Sequence, residues 1–120
     1  MSLKPIPDVV RAAMAGDDLV VRQWVADCLR DRTDWTHLKE PVGLSHDELA
    51  VAAGLVELMA RRTTQTAPLW ASAVGAAHAP IYLTPLAKVM PRTRLMCERE
   101  GPEPLRRRGI LAPPDYLTIA

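Results

Sequence analysis

Apolar positions in this chain recur at three- and four-residue steps, the period of an amphipathic helix. Val9, Val10, Ala13 and Met14 follow Asp8, whose carboxylate is placed to accept the free N–H groups of a first turn. Gly16 stops that helix. Asp17 or Asp18 then caps a second one, in which Val21, Trp24, Val25, Cys28 and Leu29 make an apolar stripe while Arg22, Gln23, Asp27 and Arg30 lie off it. The polar run DRTDW ends this helix near 30–33, and Trp35, His37 and Leu38 lead into the turn Pro41-Val42-Gly43.

The strongest local signal is LSHDEL. Ser45 and Glu48 form an S-x-x-E capping box, and Leu44 and Leu49 occupy the two positions of a hydrophobic staple. A helix starts here and runs to Arg62. Its apolar residues Leu49, Val51, Ala52, Leu55, Val56, Leu58 and Met59 nearly encircle it, the mark of a buried helix. Gly54 in its middle costs about 1 kcal/mol against Ala, which points to a close helix crossing. Helix 45–62 is therefore the expected centre of the fold, packed by the helix around 18–30 and by shorter C-terminal helices.

Beyond it, 63–68 is a polar link, and prolines at 68, 80 and 85 favour extended or irregular chain with one short helix. Ile81, Tyr82 and Leu83 suit a brief strand, although no partner strand is evident. Pro91 fits the first turn of a helix ending at Glu100, and PEPLRRR fits a last short helix closed by Gly109. The apolar, proline-braced tail ILAPPDYLTIA is expected to dock on the domain or on a partner. The fold class that follows is mainly α: a single-domain helical bundle over 1–120, with an irregular, proline-rich C-terminal third and a docking tail at about 104–120.

Composition supports one ordinary folded domain. The chain has 120 residues, 48% of them hydrophobic and 24% charged, and no Phe, so Leu, Val, Ala and Met must fill the core. The net charge of +1 argues against a protein held on nucleic acid by its overall field. Residues 88–120, however, carry seven basic and four acidic side chains. Cys28 and Cys97 match neither a disulfide framework nor a metal knuckle, which suggests a reduced, cytoplasmic setting. The N-terminal stretch lacks the apolar run of a signal peptide, and no run approaches the ~18 residues of a membrane span.

The chemistry-bearing residues point away from catalysis. Ser2, Ser45 and Ser72 lack a nucleophile elbow, and the isolated glycines make neither a P-loop nor a dinucleotide fingerprint. His37, His46 and His78 show no local metal-ligand spacing. The acid pairs Asp17-Asp18 and Asp47-Glu48 fall at helix starts, where the dipole favours them. Cys28 reads as a core thiol; Cys97, between Arg94 and Arg99, reads as a packed thiol or one of lowered pKa. No catalytic residue, metal ligand or cofactor is expected.

Two segments invite a binding role. LSHDELAVAAGL is similar to the second helix and turn of a helix-turn-helix, but LVELMA follows where polar readout residues would be needed. Arg106, Arg107 and Arg108 could pair phosphates or carboxylates, or could simply complement a helix C-terminus closed by Gly109.

Over about Leu44–Ala120, the order ELA-x-x-AGL-x-ELMARR, P-x-W at 68–70, P-x-YL at 80–83 and EPLRRRGILAPPDYL resembles a group of small uncharacterised bacterial helical proteins. Some of these are attached to helix-turn-helix domains, and others are encoded beside toxin-like nucleotidyltransferase genes. The resemblance implies partner binding at Trp70, Tyr82, Arg106, Arg107, Arg108 and Tyr116. The function expected is a non-enzymatic, antitoxin-like or adaptor module binding a protein partner. In its mechanism, the arginines would pair a partner's acids while Leu111, Tyr116 and Leu117 fill its pockets. The alternative is a DNA-binding regulator using a divergent helix-turn-helix.

Overall fold

The computed structural model describes residues 4–118. Six helices and one two-stranded parallel ladder form a small, mainly helical domain. In order they are α1 (Ile6–Met14), α2 (Asp18–Arg30), α3 (His46–Arg62), α4 (Leu69–Ala73), β1 (Ile81–Tyr82), a 3-10 turn (Pro85–Lys88), α5 (Pro91–Glu100), α6 (Glu103–Arg106) and β2 (Ile110–Leu111).

Helix α3 starts where its capping box predicts. The Ser45 hydroxyl accepts the Glu48 N–H at 3.2 Å, and the Glu48 carboxylate accepts the Ser45 N–H at 2.9 Å. Every residue from Ala50 to Ala60 is buried, including Glu57. Helices α1, α4 and α6 pack on α3, whereas α2 makes its main helix contact with α1. Val21, Trp24, Val25 and Cys28 of α2 join the same buried core as the α3 residues. Gly54 marks a close crossing. A Cβ there would lie 2.5 Å from Leu105 Cδ2 and 3.4 Å from the Pro104 carbonyl, so α6 sits on α3 at that point.

Three helices end in the same way. After α1, α2 and α3, the residues Gly16, Arg32 and Thr64 take positive φ of 77°, 51° and 60°. The next amide reaches back five residues in each case: Asp17 N–H to Ala12 O, Thr33 N–H to Cys28 O and Gln65 N–H to Ala60 O. This is the Schellman cap, which favours glycine. The glycine is present only after α1. At the other two sites tertiary contacts hold the geometry, above all Gln65, whose amide oxygen accepts the Trp35 N–H at 2.8 Å and whose nitrogen donates to Thr33 O at 3.0 Å. This clasp seats Trp35 edge-on to Trp24, with ring centroids 5.7 Å apart.

At the first helix the expected Asp8 cap is not used. The helix opens one turn earlier, behind Pro5, and Asp8 lies within its first turn. Asp17 does cap α2, accepting the Val20 N–H. The brief strand finds a partner that the sequence pattern did not reveal. Ile81 pairs with Ile110 and Tyr82 with Leu111 in parallel, with Ile81 N–H donating to Gly109 O and Leu83 N–H to Leu111 O, both at 2.9 Å. A parallel pair needs a crossover, here supplied by the 3-10 turn, α5 and α6. The C-terminal third is thus more ordered than its prolines suggest. No helix among the described residues is long and apolar enough to cross a membrane.

Candidate functional site

Three adjacent arginines have three different fates. Arg108 is 1% exposed. Its Nε donates to Val74 O at 3.1 Å, Nη2 to Ala71 O at 2.7 Å and Nη1 to Pro104 O at 2.6 Å. Nη1 also lies 2.8 Å from the carboxylate of Glu57. One guanidinium therefore ties α4, α6 and the middle of α3 together. Burial pushes its pKa down and Glu57 pulls it back up, and a guanidinium stays charged throughout. Arg107 is half-exposed and pairs with Glu57 and Glu103. Arg106 is exposed, with Nη1 donating to the Arg99 carbonyl at the end of α5.

The apolar groups expected to fill a partner's pockets fill this domain's own core. Leu111, Tyr116 and Leu117 are buried, and Arg62 of α3 clamps their segment by donating to the carbonyls of Tyr116 and Pro114. Of the two outcomes open to the tail, docking on the domain is the one observed through residue 118; 119 and 120 lie outside the described residues. The physical reason is local supply. Glu57 provides the buried acid and α3 the apolar face, so the arginine-and-apolar pattern is satisfied within the chain.

Trp70 and Tyr82 are each partly covered. The Trp70 indole N–H donates to Leu38 O at 2.8 Å. The Tyr82 hydroxyl donates to Glu98, and Arg94 bonds the same carboxylate at 3.2 Å while lying 5.4 Å from the Tyr82 ring centre. These bonds hold the Glu98 carboxyl below its usual range and raise the Tyr82 phenol.

A run of exposed apolar side chains lies one step earlier in the chain. Leu86, Val89, Met90 and Leu95 are 54%, 75%, 46% and 45% exposed, on the 3-10 turn, α5 and the two-residue joint between them. Lys88, Arg92, Arg94, Arg99 and Arg106 are exposed beside them in the same segment or at its end. In α5 only Cys97 is buried. Burial raises the Cys97 thiol, and Glu98 adds to the rise despite the flanking arginines. Cys28 is pushed up to about 11 by burial. Both are core thiols in their chemistry.

The histidines are not scattered in space. His46 and His78, 32 positions apart, stack with ring centroids 4.4 Å apart and planes tilted by 36°. Asp47 joins them: its Oδ1 accepts the His78 backbone N–H at 3.0 Å and lies 3.3 Å from His78 Nδ1. His46 Nε2 donates to Ala76 O at 2.9 Å. Sequence spacing misses this trio because α4 and the following loop fold back on α3. His37 stays apart, paired with Asp34 at 2.8 Å.

A cleft of about 350 Å³ lies between α2 and the C-terminal segment, lined by Asp18, Arg22, Val25, Thr84, Tyr116 and Leu117 among others. The Tyr116 hydroxyl is buried without a hydrogen-bond partner among the described residues. Helix α3 runs unbroken through Ala53-Gly54-Leu55, where a helix-turn-helix would turn, and its buried positions offer no face to base edges. No protein-family model matches the chain, and comparison with curated proteins and with solved structures gives no match.

Proposed function

We propose that this protein is a non-enzymatic protein-interaction module, an antitoxin-like or adaptor partner of another protein, and that it docks through the 3-10 turn and α5. The observation that carries this reading is the exposure of Leu86, Val89, Met90 and Leu95 within ten residues, in a segment, 86–106, whose five exposed basic side chains outnumber the exposed acids Glu98, Glu100 and Glu103. Apolar anchors beside arginines are the usual make-up of a binding hot spot. Burying such a side chain fully is worth about 1.5–3 kcal/mol, so four half-exposed ones supply several kcal/mol toward association. The partner that suits them has an apolar pocket with an acidic rim. The resemblance of Leu44–Ala120 to small bacterial helical proteins supports the same reading. Arg106 keeps the role assigned to it from sequence; Arg108, Leu111, Tyr116 and Leu117 act behind the surface by holding the fold, and Arg107, at the surface, pairs with Glu57 and Glu103.

The test is capture of partners from host cells by the full chain and by a Leu86→Asp/Leu95→Asp variant. Both positions are exposed, so the variant should melt as the wild type does. The expected result is one protein retained by the wild type and lost by the variant. Equal capture by both overturns the reading, and retention on DNA that falls steeply with salt would assign the surface to phosphate instead.

A further inference from the structure

We propose that His46, Asp47 and His78 form a binding site for one divalent transition-metal ion of the Zn2+ class. The three side chains come from two segments: His46 and Asp47 open α3, and His78 lies in the loop 74–80. Each offers a ligand atom, and all three ligand atoms lie within 4.8 Å of one another. Zinc binds imidazole nitrogen and carboxylate oxygen at about 2.0–2.2 Å, which puts neighbouring ligands about 3.3 Å apart. Closing that gap takes small rotations of exposed rings; the His78 side chain is 77% accessible.

The surroundings match what a metal site needs beyond its ligands. A ligating histidine orients its ring by donating the other N–H to a carbonyl or carboxylate. His46 already does so through Nε2 to Ala76 O, leaving the lone pair of the neutral ring on Nδ1. Asp47 is fixed by the His78 backbone N–H, and His78 Nδ1 faces the same oxygen. A metal ion would take the place of the proton between them.

Electrostatics favour the ion. The α3 N-terminus presents about half a positive charge, but Asp47 and Glu48 put two carboxylates in the same turn. Two imidazoles with one carboxylate suit Zn2+, Ni2+, Co2+ or Cu2+ rather than Mg2+ or Ca2+, which prefer oxygen alone. Three protein ligands leave a fourth position open to water or to a group from another molecule. Bound there, the ion would clip the loop 74–80 to α3. That loop also holds the turn leading into β2, through the Ala77 N–H to Arg108 O bond.

Titration calorimetry of the full, tag-free chain with ZnCl2 tests the site, with His46→Ala, His78→Ala and His37→Ala beside the wild type. The expected result is one Zn2+ per chain, affinity at least about tenfold weaker in His46→Ala and His78→Ala, and no change in His37→Ala. Co2+ should show a visible ligand-field spectrum that both cluster variants lose, and Mg2+ should not compete. His78 is exposed, so its variant folds, and a thermal melt verifies this for each protein. Absence of stoichiometric Zn2+ binding overturns the proposal, as does equal binding by wild type and His78→Ala.

Discussion

Replacing Arg108 by Met tests the organisation of the C-terminal third most directly. Methionine keeps an unbranched apolar stem and removes the guanidinium, leaving the carbonyls of Ala71, Val74 and Pro104 without that donor and Glu57 without its buried cation. Each buried polar group left unsatisfied costs about 1–3 kcal/mol, so the three carbonyls alone could cost roughly 3–9 kcal/mol, a sum comparable with a whole domain's stability of about 5–15 kcal/mol. Three facts reduce it. The Ala71 carbonyl still accepts the Val74 N–H at 3.3 Å, Val74 is only partly buried, so water can reach its carbonyl, and Glu57 keeps Arg107 and Arg61 as partners. The expected loss is therefore the ~3–5 kcal/mol typical of breaking one partner of a buried pair.

The neighbours calibrate this figure. Arg107→Met removes a half-exposed ion pair worth about 1 kcal/mol or less, and Arg106→Met, on the surface, should fall within about 0.5 kcal/mol of wild type. Urea unfolding followed by far-UV circular dichroism measures all three, with the slope m checked for constancy. An Arg108→Met protein as stable as Arg106→Met would refute the reasoning, because the buried guanidinium would then be holding nothing.

Two further outcomes follow from the caps. Thr64 is an exposed, β-branched residue at φ 60°; Thr64→Gly relieves a left-handed backbone worth about 1–2 kcal/mol against a smaller entropic cost, so Tm should rise by a few degrees, whereas a fall would mean that the Thr64 side chain makes an essential contact. The Glu48 carboxyl is held below its ordinary value of 4.5, first by its bond to the Ser45 N–H and further by Arg11. A lowered folded pKa gives stability that is present above the unfolded value and lost as pH falls through the folded one. Glu48→Gln should therefore be less stable than wild type near about pH 6 and equal to it near about pH 3; a difference that does not change with pH would exclude this linkage.

The legible parts of the fold were those written in neighbouring residues. Ser45 and Glu48 are three positions apart, so their reciprocal bonds and the start of α3 could be read directly, as could Pro91 at the first turn of α5. Gly16 announced the end of α1, but the same cap after α2 and α3 uses Arg32 and Thr64, because contacts between Gln65 and the segment Thr33–Trp35, 30 and 32 positions apart, supply what glycine otherwise provides. The arginine run was visible and its direction was not. One signal pointed inward: Glu57 is the single acid in the apolar stretch LVELMA, and a buried carboxylate demands a cation. The strand Ile81–Tyr82 was visible without its mate, since pairing at a separation of 29 residues leaves no local mark. The histidine cluster was invisible for the same reason.

The β1–β2 pairing also sets an order on synthesis. Helix α3 is made early, with apolar side chains on nearly every side, yet the residues that cover it include Leu105, Ile110, Tyr116 and Leu117. While the ribosome is still adding residues 63–104, α3 has only α1, α2 and α4 to shield it, and Glu57 waits for Arg108. The nascent chain must therefore hold a sticky, half-covered helix until residues 105–117 have been added and can close over it. Contacts this distant in sequence are slow to form, and exposed apolar surface in the interval invites aggregation. Premature termination anywhere after residue 62 and before residue 108 would release a species whose central helix is complete and whose lid is missing, a natural client for chaperones and proteases.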